Sequence, residues 1–382
     1  MNRIKEKIFL LLLLLPSLLI CKGGGSEFLV RQIRLEEGLS QSTILSIIQD
    51  RKGFLWIGTA NGLNRYDGYS FKIFSHDPMD SNSISDNGIL SLFESKDGSL
   101  WIGTIEGVLN KYNSKEGRFY RYDIFSDQPF KREEEKLLFE FPLPYSRNNM
   151  KTITSITEDE MGNLWIGTWD SGIICINIKS GKKIWFNKFN NDQYRIPINT
   201  IKKILIRENV LWAATLGGGI MKLTFGKSIS DFSVQTYQNN RTNKYSLPDN
   251  KVTDIILDSD NRIIAGTFGG GIAILPISEQ AKNPNEAKFI IHKTGLPHSI
   301  LSSDNITALL QNRDGYYFAG SFGAGIDIIS PDFSSRYNFK NDPLNINSLT
   351  RNDILKLFED KNGNVWAGTH LGRGLNKIEK AN

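Results

Sequence analysis

The sequence predicts an all-β fold: a single seven-bladed β-propeller of four-stranded antiparallel blades, closed by its N-terminal strand. Three observations predict it. One pentapeptide recurs seven times along the chain. Each copy lies between the same two kinds of Gly-bearing turn. The last copy is followed by a single further strand, while a spare strand-like segment precedes the first.

The motif begins as Leu55-Trp56-Ile57-Gly58-Thr59 and returns as Leu100–Thr104 and Leu164–Thr168. Looser copies are Leu211–Thr215, Ile263–Thr267, Tyr317–Ser321 and Val365–Thr369. Measured at positions 58, 103, 167, 214, 266, 320 and 368, the intervals are 45, 64, 47, 52, 54 and 48 residues. Four-stranded blades repeat every 40–50 residues or so. The long interval contains an insertion near Asp123 to Asn149, with a charged run from Lys131 to Lys136.

The elements within a repeat follow in order. An alternating stretch such as Ser42–Ile48 or Asn250–Ile256 reads as the innermost strand. Asp50–Gly53, Asp159–Gly162, Asn312–Gly315 and Asp360–Gly363 then place Asp or Asn first and Gly fourth, as a type I turn prefers. The motif is the second strand. Its Trp supplies apolar area and its Gly permits close approach of the next sheet, so these recurring residues are architecture. A second Gly turn and a third strand follow, then a looser fourth strand such as Tyr69–Phe74. In the last repeat Leu375 to Glu379 is the third strand, and residues 28–35 are expected to supply the fourth. That closure removes an exposed edge and makes a whole ring.

Composition bounds the function. Hydrophobic residues make up 40% and charged residues 23%, ordinary for a globular chain. Residues 1–25 read as a signal peptide and residues 26–382 as the propeller. Arg3, Lys5 and Lys7 precede the apolar run Ile8–Ile20, whose 13 residues reach only about 20 Å as a helix, short of a bilayer core. Cleavage after Gly23-Gly24-Gly25 would release the chain into the periplasm or onto the cell envelope. Leu18-Leu19-Ile20-Cys21 alternatively offers Cys21 for lipidation, the only membrane attachment expected. The net charge of +5 includes +3 from residues 1–22, where four basic residues meet Glu6. The remaining +2 is no footprint for nucleic acid. With Cys175 as the only other cysteine, no disulfide framework is available, and its apolar run marks it as a buried small side chain.

The motif, with Asp-x-x-Gly before it and Gly62-Leu63-Asn64-Arg65-Tyr66 after it, resembles the two-component regulator propeller repeat. So does Glu37-Gly38-Leu39-Ser40-Gln41-Ser42. The resemblance covers nearly all of residues 28–380. It implies the periplasmic sensor region of a hybrid two-component system, which detects oligosaccharides and switches on glycan-utilisation genes. Relatives usually add a second propeller, a β-sandwich, a membrane helix and a histidine kinase. Here no second apolar span follows the signal, and His76, His292, His298 and His370 all lie in repeats. A sensor module without its own kinase is therefore expected, stand-alone or shortened.

Loops from strand two to three and from strand four to one should share one face around the axis. The first set offers Asn61, Glu106, Trp169, Asp170, Phe268, Phe322, His370 and Arg373. The second offers Ser42, Asn87, Lys151, Asn250, Asp304 and Asn352. Aromatic rings beside amides and carboxylates suit an oligosaccharide; the same Asn, Asp and Ser residues also serve as turn formers. Two other readings stay open: a scaffold for a partner such as a membrane sensor, and a propeller hydrolase or lyase using Glu106 with Asp170. No cofactor motif, metal-ligand spacing or nucleophile elbow is present.

Overall fold

The computed structural model describes residues 28–33, 35–125, 151–190, 193–296, 299–371 and 374–380. The expected signal peptide, Cys21, most of the insertion, His298 and Arg373 lie outside them. The described strands form seven four-stranded antiparallel sheets. Six are consecutive in sequence: blade one spans residues 44–74, two 89–122, three 153–186, four 201–237, five 252–292 and six 306–339. The seventh takes Ile354–Glu359, Val365–Thr369 and Leu375–Lys380 from the end of the chain and Phe28–Ile33 from its start. The closing register runs from Phe28 opposite Lys380 to Ile33 opposite Leu375. The closing strand stops at Ile33, and residues Leu35–Glu37 form a short 3-10 turn. The fourth strand of blade one begins at Phe71, because Asp67 accepts from the Tyr69 and Ser70 amides and holds those residues in a turn.

Hydrophobic packing explains why the ring must close. The described core falls into seven clusters, each shared by two neighbouring blades. Trp56 of blade one packs with Ile89, Leu92 and Ile102 of blade two. Ile57, the next residue, points the other way and packs with Trp366 and Leu375 of blade seven. The motif strand is thus covered on both faces, and all five of its residues are buried.

The motif glycine sets the spacing. A Cβ at Gly320 would come within 2.5 Å of Ile354 Cγ2 on the next blade; at Gly103 the distance to Ile153 Cγ2 would be 2.4 Å. Blade four carries Ala214 here, and the facing residue is then Val252 where the other blades present Ile. The turn before the motif is tied down as well. Trp56, Trp165 and Trp366 donate their indole N–H groups to Asp50, Asp159 and Asp360 at 2.8, 2.9 and 2.8 Å. Where Ile264 replaces Trp, Asp258 accepts from Arg262 and from Tyr317 of the next blade instead. Gly320→Ala should cost about 1–3 kcal/mol of unfolding free energy by overpacking. Adding Ile354→Val should restore part of the loss in urea titrations; additive losses would contradict the paired-size account.

Candidate ligand-binding site

The residue directly after each motif occupies an equivalent place. Ala60, Ile105, Trp169, Leu216, Phe268, Phe322 and His370 each donate their backbone N–H to a carbonyl at the start of their own innermost strand. The acceptors are Thr43, Gly88, Thr152, Thr200, Lys251, Asn305 and Asp353. Seven side chains are thereby pinned around one mouth of the axis. Four carry rings, all among the residues anticipated from sequence. Phe268 and Phe322 contact each other with centroids 6.4 Å apart, and Phe322 meets His370 at 6.4 Å. An aromatic arc therefore spans blades five to seven. Trp169, Phe268 and Phe322 are exposed, at 39%, 39% and 45%. Exposed aromatic faces of this kind present apolar area to whatever enters.

Asn61 and Glu106 are exposed one residue further along their turns, and Asp170 is half-buried. The carboxyl of Glu106 is raised, chiefly by burial of its carboxylate and next by the charge of Asp86. Its acidic neighbour is Asp86, on its own side of the ring, rather than the Asp170 invoked for a catalytic pair.

Residues in the four-to-one loops have a different role. The side-chain oxygens of Asn87, Asn250 and Asn352 accept from the amides of His76, Asn239 and Asn341, at 2.8, 2.7 and 2.7 Å. Their main-chain carbonyls accept from Gly62, Gly219 and Gly325 of the neighbouring turns. Asp304 does the same for Thr294 and Gly271, and Asn199, which the sequence reading passed over, for Lys188 and Gly172. These residues brace the loops with their oxygens. Ser42 and Lys151 stand at the corresponding places in blades one and three. Lys151 lies over the Phe125 ring.

Beneath the arc lies a group that sequence reading missed. In every blade the innermost strand has a bulge at its second residue. At that position and the next, blade four carries Lys202 and Lys203, blade five Thr253 and Asp254, and blade seven Leu355 and Lys356. Lys203 and Asp254 form an ion pair at 2.6 Å. Lys202 Nζ lies 5.8 Å from the centre of the Trp169 ring. Burial pushes the Lys202 ammonium down, with Asp254 opposing. Burial, with repulsion from Lys202, pushes Lys356 down to about 8. Blades four and seven are not neighbours, so this repulsion acts across the central channel. The available signal was charge: the equivalent positions in blades one and two are Leu45-Ser46 and Leu90-Ser91.

The opposite face holds a groove of about 490 Å³ lined by Arg207, Trp212, Lys222, Leu257 and Gln280. Its polar groups brace one another: Lys222 donates to the Gln280 carbonyl, and Gln280 donates to the Asn261 carbonyl. Cys175 is buried, and its thiol is pushed far up by that burial.

The fold and its pinned ring define a seven-bladed propeller with its variable side chains gathered at one axial mouth. Four of its segments are similar to the two-component regulator propeller family: the model of that family matches residues 38–61, 83–106, 147–170 and 348–370. Each matched segment includes a ring position, namely Ala60, Ile105, Trp169 or His370. Histidine kinase P4 of Formosa agariphila is 47% identical over 64 residues, 17% of this chain and 5% of that protein. The extracellular domain assigned to a hybrid two component system of B. thetaiotaomicron superimposes with a TM-score of 0.72 at 24% identity. The match covers 93% of this chain and 42% of that one. Virginiamycin B lyase from Staphylococcus aureus matches with a TM-score of 0.61 at 15% identity, over 92% of this chain and 99% of the lyase. At these identities the structural likeness is one of fold. The chain spans under half the length of the matched extracellular domain and a small fraction of the kinase. No described helix is long and apolar enough to cross a membrane.

Asn250→Ala should lower stability by about 0.5–1.5 kcal/mol, the net worth of the hydrogen bond from the exposed Asn239 amide that it removes. The measurement is a denaturant titration, and an unchanged midpoint would return Asn250 to the list of ligand contacts.

Proposed function

We propose that this propeller is an extracytoplasmic sensor module that binds an oligosaccharide at the axial mouth. The aromatic arc Phe268–Phe322–His370 carries the reading, because backbone bonds hold two exposed rings and the half-buried His370 ring in contact where a sugar chain can lie across them. Sugar rings have apolar faces that aromatic side chains cover, while their hydroxyls need polar partners at the rim, where Asn61, Asp170 and Glu106 stand. The two-component regulator propeller repeats support a role in signalling. The extracellular setting of the matched domain from B. thetaiotaomicron supports a place outside the cytoplasm.

Binding rather than turnover is favoured by the state of Asp254. This carboxylate accepts from Lys203, Ile255 and Leu309, and so is committed to structure. The binding signal then passes to a separate membrane sensor partner, since the chain is read as carrying no kinase of its own.

A thermal-shift screen against purified oligosaccharides tests the proposal, since a ligand stabilises the fold by RT ln(1 + [L]/Kd). At least one should raise the melting temperature. Phe322→Ala should then weaken that binding about tenfold, as expected for truncating a central aromatic contact. Its unliganded stability should change by only about 0.5 kcal/mol, the usual range for a surface substitution. No shift with any oligosaccharide, or an undiminished shift in the variant, would overturn the reading.

A further inference from the structure

Three lysines and one aspartate converge on the channel under the aromatic mouth, on strands belonging to three blades. Lys203 and Asp254 neutralise each other in their ion pair. Lys202 and Lys356 are left. Neither makes a salt bridge or hydrogen bond with a described residue, and both keep partial exposure to solvent. Their ammonium groups repel each other across the axis. Lys202 also sits against the ring of Trp169, which itself stands on the mouth, so the charge and the aromatic face form one continuous surface.

Holding two like charges in a partly desolvated channel is costly, and an anion between them removes that cost. Uncharged residues stand at the equivalent places elsewhere: Leu45, Leu90 and Leu355 at the bulge that Lys202 occupies in blade four, and Ser46 and Ser91 where blade seven has Lys356. The bulge supplies the geometry at Lys202, taking it out of the ladder and re-aiming its side chain, while Lys356 is the next residue along its own strand, in register with Gly368.

We infer that the mouth takes an acidic oligosaccharide, whose carboxylate or sulfate group enters the channel between Lys202 and Lys356 while a neighbouring sugar ring lies on the aromatic arc. This rests on the reading of the mouth as a sugar site and adds the class of sugar to it. A carboxylate and a sulfate share the chemistry required: a compact anion with several acceptor oxygens, suited to the ammonium donors of two lysines. The Lys203–Asp254 pair lies beside them and disfavours deeper entry of a second anion, since Asp254 is already negative. One acidic group per bound chain is therefore expected in the channel.

Isothermal titration of the full chain at low salt tests this with four probes: an oligogalacturonate tetrasaccharide, a sulfated galactan tetrasaccharide, a neutral galactan tetrasaccharide and inorganic sulfate. At least one of the two acidic sugars should bind more tightly than the neutral one. Lys356→Met and Lys202→Met, which keep length and remove charge, should each weaken that acidic sugar about tenfold or more, the range of a lost charged hydrogen bond. They should leave the neutral sugar unchanged. Sulfate alone should bind far more weakly than the acidic sugar.

If the neutral tetrasaccharide binds as well as the acidic ones and neither lysine matters, the acidic assignment falls while the sugar site stands. If inorganic sulfate binds as tightly as the acidic sugars and Phe322→Ala has no effect, the sugar reading falls and a simple anion site remains. If none of the four binds, both are overturned. The melting curve of each variant separates these outcomes from misfolding, because removing a partly desolvated charge that makes no salt bridge should leave the fold about as stable.

Discussion

Each blade is a single twisted sheet with two apolar faces, and neither face is covered until a neighbour arrives. Seven clusters of buried side chains lie between blades, and each is shared by two of them. The ring therefore has no blade that can stand alone. Closure at Phe28–Ile33 against Leu375–Lys380 is what covers the last pair of faces. It also satisfies the row of backbone groups that an open edge would leave exposed.

From that constraint the recurring residues follow. Trp fills the gap to the next blade, and in blades one, three and seven an Asp at the preceding turn receives its N–H. Gly allows the next blade's Ile to approach. Departures occur in compensating sets: Ala214 faces Val252, and Asp258 takes Arg262 and Tyr317 where Trp is absent. Such consistency across contacts is what a single well-defined fold requires. It also keeps these positions from varying with ligand. Variation is left to the turn residue after each motif, held by one backbone bond and free at its side chain, and to the bulged position of the innermost strand and the residue after it.

Much of the fold was legible because it repeats. The turns, the motif strand and the spare strand at the start of the chain each have a local pattern, and repetition multiplies the signal. The ring positions Trp169, Phe268, Phe322 and His370 were legible for the same reason, as the residue next to an invariant-looking Thr or Ser. Asn87, Asn250 and Asn352 were harder: an Asn that braces a loop and one that binds a hydroxyl look alike in sequence. Only the bonds to His76, Asn239 and Asn341 tell them apart. Lys202 and Lys356 were hidden by their setting in strands that read as core. Their approach across the axis joins residues more than 150 positions apart, a proximity no local pattern encodes.

The account's central claim is that the axial mouth, rather than the groove on the opposite face, receives the ligand. Amide hydrogen exchange, followed with and without an oligosaccharide that shifts the melt, tests it most directly. Slower exchange at the amides of Trp169, Phe268, Phe322 and His370 is predicted, with the opposite face unchanged. Protection confined to the segments around Trp212 and Gln280 would contradict it.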